Sequence, residues 1–197
     1  LFEQLKVQEA LGGFERYEDF DVETYQAMIS ESLRIAQDVI WPVNVSGDKE
    51  GCTFHGEGKV TTPKGYVEAY QVLAENGLIG FTAPFDYGGS NLPEPVAMAI
   101  GEIVTGAGPG LSIYCGLTRG VANLILHEGN DWLKDLCIEK MNSGEWGGTM
   151  CLTEAGAGSS VGDNLCKAVP AAEDDVYDLT GEKIFILGGD KDLTENI

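Results

Sequence analysis

The chain has 197 residues, of which 32 are acidic and 12 basic, so its formal net charge is −20 at pH 7. A surface this acidic repels nucleic-acid phosphates and anionic lipid headgroups, which argues against nucleic acid and membrane partners. The hydrophobic fraction of 43% is typical of globular proteins, and no apolar run reaches the roughly 20 residues of a membrane-spanning helix, so we expect a cytoplasmic protein.

Apolar residues recur every three or four positions through most of the first 145 residues, which predicts an all-α helical domain over 1–145. The clearest stripe runs from Phe20 to Ile40, and we expect Pro42 to end that helix because proline lacks an amide hydrogen. The polar, glycine-rich stretch over 47–62 then predicts a loop.

Four further helices follow this loop in the predicted domain. Thr62 and Pro63 are typical of a helix cap and first helical residue, and this helix is expected to end at Gly77. Asn130 or Asp131 is expected to cap the last of the four. The other three helices are predicted over Val96–Val104, Leu111–His127 and Trp132–Met141.

The hydrophobic period changes near residue 143, where a β-domain is predicted to begin and to occupy 146–197. We predict a strand over 146–153 and a hairpin over 176–186 with its turn at Gly181-Glu182. The fold class is therefore α+β, with a helical domain followed by an incomplete antiparallel β-domain. About 50 residues are few for a closed sheet structure, which needs roughly 100, so we expect the chain to be truncated.

The five cysteines form no C-x-x-C pair and there are only two histidines, so we expect no metal site. The stretch from Met150 to Ser160 (MCLTEAGAGSS) is more informative. Its glycines let a flat or charged ligand approach the backbone amides, and Thr153 and Ser159 add hydroxyl groups. The alternative is a plain strand-to-turn connection that needs glycine for its shape.

This stretch resembles the signature of the acyl-CoA dehydrogenases, a hydrophobic residue followed by Thr-Glu and then Gly-Ser. Three other stretches agree with that family in order and spacing: Pro84–Ser90, Ser143–Trp146 and Gly181–Ile186. The tail over 189–197 and the loop over 47–51 are most similar to the large subgroup with an extra C-terminal domain, which includes the methylthiopropanoyl-CoA dehydrogenases.

The resemblance implies an FAD site. Thr153 is expected near the pyrimidine side of the flavin, Ser159 at the FAD pyrophosphate and beside the acyl-CoA substrate, and Phe185 against the flavin face. A simple hairpin core residue is the alternative for Phe185. The implied cofactor-binding set is Met150, Cys151, Leu152, Thr153, Gly158, Ser159, Phe185, Ile186 and Leu187.

The family reaction is α,β-dehydrogenation of an acyl-CoA thioester with hydride transfer to flavin N5. The resemblance implies a catalytic base beyond residue 197, an electron-transfer flavoprotein as partner and a homo-oligomer, and this segment alone is expected to be inactive. No catalytic residue is therefore assigned here, and we expect Glu154 to be a structural hydrogen-bonding group.

Three positions depart from the family pattern: Ser160 replaces Asp, Leu187 replaces Thr or Ser, and Lys191 replaces His. Leu187 lacks a hydroxyl that would reach the flavin N5 region, and one lost hydrogen bond typically costs ~1 kcal/mol. These departures leave two alternatives open. One is a non-catalytic helical interaction or assembly module that retains the fold, and the other is a related oxidase or nitroalkane-type flavoenzyme.

Overall fold

The structure is a computed structural model in which residues 1–195 are described. Contacts divide the chain into two units. The first contains residues 1–148 together with the segment that begins at Asp190, and the second contains residues 149–189. Within the described residues, no helix combines the length and the apolar character needed to cross a membrane.

Among residues 1–195, the first unit contains seven α-helices and one short β-hairpin. A π-helical stretch, Ala36–Ile40, joins the second helix to the third. The helices are α1 (Val7–Leu11), α2 (Val22–Ile35), α3 (Trp41–Glu50), α4 (Tyr66–Glu75), α5 (Glu94–Ala107), α6 (Pro109–Glu128) and α7 (Asp131–Asn142).

Side-chain caps fix the starts of two of these helices. Asp21 accepts a hydrogen bond from the Thr24 amide at 2.7 Å ahead of α2, and Asn130 accepts one from the Leu133 amide at 2.9 Å ahead of α7. Each cap satisfies an amide that the helix leaves without a partner. The choice between Asn130 and Asp131 is thereby resolved in favour of Asn130.

The main apolar core joins α2 to α4, α5 and α6, and a smaller cluster around Ala122, Cys137 and Met141 joins α6 to α7. The predicted stripe of α2 continues through the π-helical stretch and buries its apolar side chains against α4, α5 and α6. Burial of such side chains from water is the main favourable contribution to folding. The side chains with almost no solvent exposure include Tyr25, Ile35, Ile40, Tyr70, Leu73, Val96, Ile100 and Leu111.

The prediction that Pro42 ends the second helix was wrong, because the chain stays helical from Val22 to Glu50. In the π-helical stretch the Trp41 amide donates to the Ala36 carbonyl, so α3 begins as a new helix at Trp41. Pro42 lies in the first turn of α3, where a residue without an amide hydrogen costs little.

The predicted loop over 47–62 was also wrong. After α3, strands β1 (Thr53–Gly56) and β2 (Lys59–Thr61) form an antiparallel hairpin. Thr62 does not cap a helix, because its amide and hydroxyl both donate to Asp192, at 2.9 and 2.7 Å, and α4 begins only after Gly65. Local sequence could not reveal a partner that lies 130 residues away in the chain.

The second unit contains strands β3 (Lys167–Pro170) and β4 (Tyr177–Thr180), which pair antiparallel with Lys167 opposite Thr180. The predicted strand over 146–153 was wrong, since Trp146 makes only an isolated bridge, to Glu195, and residues 147–153 are irregular. Helices followed by short antiparallel strands nevertheless confirm the predicted α+β order.

The predicted hairpin over 176–186 was wrong as well, since β4 pairs with the preceding β3 and residues 181–186 form no strand. Gly181 is not a turn residue. A Cβ atom at this position would lie 2.0 Å from the Cys166 sulfur, so the glycine permits close approach of the Cys166 side chain.

Candidate functional site

The two predicted cofactor-binding segments lie side by side in the second unit. The Ile184 amide donates to the Thr153 carbonyl at 2.9 Å, and the Thr149 hydroxyl donates to the Leu187 carbonyl. These bonds run the segments 149–153 and 184–187 antiparallel. The structure therefore brings Met150, Cys151, Leu152 and Thr153 together with Phe185, Ile186 and Leu187.

A tight turn follows the first segment. Glu154 and Ala157 exchange two backbone hydrogen bonds of 3.1 Å each, which close the turn. Within the first 195 residues, the amides of Thr153, Gly158 and Ser159 find no acceptor in the protein. Gly158 and Ser159 are exposed. Neighbouring free amides of this kind bind anions and polar ring edges.

The glycines of this turn are not explained by the protein's own packing. A Cβ atom added at Gly156 or Gly158 would meet nothing within 4 Å, and neither glycine has a positive φ. A glycine needed for turn shape would show one of these constraints. The observation favours the other reason for glycine, which is close approach of a ligand to the backbone.

Phe185 is the most exposed large apolar side chain of this unit, at 87% of its full accessibility. The alternative of a hairpin core residue was therefore wrong. Its φ of +58° lies in the left-handed region, which a bulky residue rarely adopts. Strained residues of this kind concentrate at ligand sites, and an exposed phenyl ring offers a flat apolar surface for stacking.

Glu154 anchors the turn. Its carboxylate accepts hydrogen bonds from Lys183 Nζ at 2.7 Å, the Leu165 amide at 2.7 Å and the Cys166 amide at 2.9 Å, and the residue is 8% exposed. The Lys183 ammonium, followed by these two amides, lowers the pKa of Glu154 to about 2. The geometry confirms the predicted structural role.

This lowered pKa gives an acid-sensitivity prediction. Because the folded-state pKa lies below the ordinary value of 4.5, the carboxylate stabilises the turn at pH values above 4.5. We expect that stabilisation to be lost as the pH falls from about 4.5 towards 2. Hydrogen exchange of the Leu165 and Cys166 amides should accelerate across this range, relative to the intrinsic rate.

The matched variant is Glu154→Gln, which keeps the side-chain shape but does not titrate. In this variant the two amides should exchange faster at neutral pH and show no additional acceleration on acidification. Protection that is equal in both proteins at every pH would contradict the role given to the carboxylate.

Lys183 and Asn164 were missed by the sequence reasoning. Both donate to the Leu152 carbonyl, Lys183 Nζ at 3.0 Å and Asn164 Nδ2 at 3.3 Å. Lys183 lies within the stretch Gly181–Ile186 that carries the family resemblance, so its position was a usable signal. Nothing in the local sequence indicated Asn164.

The three departures have different structural settings. The Ser160 hydroxyl donates to Asp163 at 2.7 Å, so a carboxylate is retained three residues along the chain. The Leu187 side chain is half-exposed beside the candidate site. Lys191 belongs to the first unit, where it is buried and desolvation lowers its pKa.

The family profile described as "Acyl-CoA dehydrogenase, N-terminal domain" matches residues 22–145. The 3-methylmercaptopropionyl-CoA dehydrogenase of Ruegeria pomeroyi is 35% identical over 181 residues, covering 92% of this chain and 30% of that protein. The broad-specificity linear acyl-CoA dehydrogenase of Mycobacterium tuberculosis is 35% identical over 199 residues, covering 100% of this chain and 32% of that protein.

Solved structures agree with the sequence relatives. An acyl-CoA dehydrogenase from Bacillus anthracis, crystallised in complex with FAD, matches with a TM-score of 0.69 at 26% identity. The match covers 87% of this chain and 27% of the other. The chain thus spans less than a third of the length of each of these relatives.

Proposed function

The chain belongs to the acyl-CoA dehydrogenase family, and from this membership we propose that it serves in an FAD-dependent oxidoreductase that dehydrogenates an acyl-CoA thioester between its α and β carbons. The sequence relatives support the substrate class, because both are acyl-CoA dehydrogenases. The FAD complex of the Bacillus anthracis enzyme supports the cofactor.

The observation that carries the proposal is that the second unit holds both free backbone amides and an exposed aromatic ring. The Phe185 ring suits a flat heterocycle, and the free amides of Gly158 and Ser159 suit an anionic diphosphate. The net charge of −20 gives no general attraction for a phosphate, so such local donors are needed. These features fit FAD.

The proposed roles of the individual residues follow from their positions. The Thr153 amide and hydroxyl would bond the polar edge of the ring, and Phe185 would contact its face. Ser159 would bind the diphosphate and also border the acyl-CoA. The remaining cofactor contacts would come from Met150, Cys151, Leu152, Gly158, Ile186 and Leu187.

The chemistry that FAD supplies when bound is acceptance of a hydride from the β carbon of the substrate. The residues of this chain would bind and orient the cofactor and exclude water from one of its faces. The proposal assigns no catalytic base to these 197 residues. It includes an electron-transfer flavoprotein as electron acceptor and a homo-oligomeric enzyme, both as expected from the family.

The complete natural protein tests this function. We expect it to purify with flavin absorption, or to acquire it on reconstitution with FAD, and to lose that absorption when an acyl-CoA is added without oxygen. Colourless protein that cannot be reconstituted would favour the non-catalytic module, which Ser160 and Leu187 would then explain. Rapid reoxidation by oxygen itself would favour the oxidase alternative.

A further inference from the structure

We propose that Lys183 is a positioning residue that polarises the peptide unit between Leu152 and Thr153, and so strengthens the Thr153 amide as a hydrogen-bond donor to the flavin. The inference rests on the proposed FAD site. It gives a function to a lysine whose contacts would otherwise be read as neutralisation of a buried carboxylate.

The peptide group between Leu152 and Thr153 is hydrogen-bonded on one side only. Its carbonyl oxygen, Leu152 O, accepts hydrogen bonds from Lys183 Nζ at 3.0 Å and from Asn164 Nδ2 at 3.3 Å. Its amide hydrogen belongs to Thr153 and has no acceptor among the residues that the structure describes. The unit is thus bonded at its acceptor end and open at its donor end.

The charge on Lys183 affects the strength of the hydrogen bonds at this peptide group. A hydrogen bond from an ammonium group is stronger than one from a neutral donor. Hydrogen bonds in a chain also polarise each other, which strengthens each by about 10–30%. Two donors on the Leu152 carbonyl therefore make the Thr153 amide hydrogen more positive and a better donor to an acceptor atom of a ligand.

The Lys183 ammonium group is held in place by its neighbours. Lys183 Nζ also contacts Glu154 Oε1 at 2.7 Å, and the two side chains are only 23% and 9% exposed. Glu154 is fixed in turn by the amides of Leu165 and Cys166. The lysine therefore requires little reorganisation when a ligand binds, which is the property of a preorganised donor system.

The chain offers a matched control in Lys167. This residue has the same charge, is exposed on β3 and lines the same cavity of about 440 Å³ as Lys183. In the part of the chain that the structure describes, its ammonium group donates no hydrogen bond to the Leu152 carbonyl. Removing the Lys167 charge therefore tests whether a general loss of positive charge has the same effect.

The experiment uses the complete natural protein and four variants: Lys183→Met, Lys183→Gln, Lys183→Arg and Lys167→Met. For each protein, the dissociation constant of FAD and the midpoint potential of the bound flavin are measured. Circular dichroism of the FAD-free proteins checks the fold. The potential is informative because a purely structural lysine would change affinity without changing the electronic environment of the ring.

We expect Lys183→Met to bind FAD about twofold more weakly, because the Thr153 amide still donates to the ring and only its strengthening by the charged donor is lost. Its flavin potential should become more negative, because a weaker donor stabilises less of the charge that accumulates on reduction. Lys183→Arg should restore both values towards the unmodified protein, Lys183→Gln should be intermediate, and Lys167→Met should change neither.

Unchanged affinity and potential in Lys183→Met would overturn the inference, and so would equal changes in Lys167→Met. If Lys183→Met fails to fold, Lys183→Gln provides the same comparison, because it keeps a neutral donor. Failure of the unmodified protein to bind FAD would instead contradict the proposed function, so the two failures can be told apart.

Discussion

Replacing Phe185 with alanine is expected to weaken FAD binding about thirtyfold. The expectation follows from the ~2 kcal/mol that an aromatic side chain contributes by stacking on a flat heterocycle, at about 1.4 kcal/mol for each factor of ten. Because the ring is 87% exposed within the described residues, its removal opens no cavity in the second unit. The melting temperature of the FAD-free protein should therefore not fall.

Leu179→Ala is the matched control for Phe185→Ala. Leu179 lies on β4 of the same unit, outside segments 149–153 and 184–187, and is 81% exposed, so its truncation removes a similarly exposed apolar side chain. FAD titrations followed by flavin fluorescence should show near-normal affinity for this variant. Equal affinities for both variants would show that Phe185 does not contact the flavin.

Gly158→Val is expected to weaken FAD binding about a hundredfold. A branched side chain at this position would cover the amides of Gly158 and Ser159, and two hydrogen bonds to a charged group contribute about 3 kcal/mol or more in total. The protein itself has room for the side chain, because a Cβ at Gly158 would meet nothing within 4 Å. We therefore expect a folded protein that lacks FAD.

The control for Gly158→Val is Gly162→Val. Gly162 lies four residues further along the chain, is also exposed, and would also present its Cβ to open space. Isothermal titration with FAD should detect binding by the Gly162 variant and little or none by the Gly158 variant. If Gly158→Val bound FAD with full affinity, the diphosphate would not bind at this turn.

The order of helices could be predicted from sequence because apolar residues with a period of 3.6 define a buried stripe wherever the helix begins. Their limits were less predictable. Pro42 ordinarily indicates the end of a helix, but here the π-helical stretch before it resets the register so that the proline falls in a first turn. Such a stretch has no sequence signature that we could use.

The strands were predicted poorly for a different reason. Pairing partners are set by contacts between distant residues, and short strands give only a weak alternation signal. Gly181 was interpreted as a turn residue, whereas it accommodates the Cys166 side chain. Similarly, Thr62 was interpreted as a cap, whereas it bonds to Asp192.

The sequence predicted which segments form the candidate site, but not the hydrogen bonds that connect them. The Thr-Glu-Gly-Ser pattern and the stretch around Phe185 identified two segments, and the structure brings them side by side. The bonds of Lys183 and Asn164 to the Leu152 carbonyl were not predictable, because they depend on side-chain directions rather than on sequence spacing. These bonds are the basis of the proposed polarisation of the Thr153 amide.

The most direct measurement is a crystal structure of the complete natural protein with FAD. We predict that the isoalloxazine ring lies against Phe185 and accepts a hydrogen bond from the Thr153 amide, and that the diphosphate contacts the amides of Gly158 and Ser159. An FAD molecule bound elsewhere, with these amides and the Phe185 ring still open to water, would contradict the proposed site.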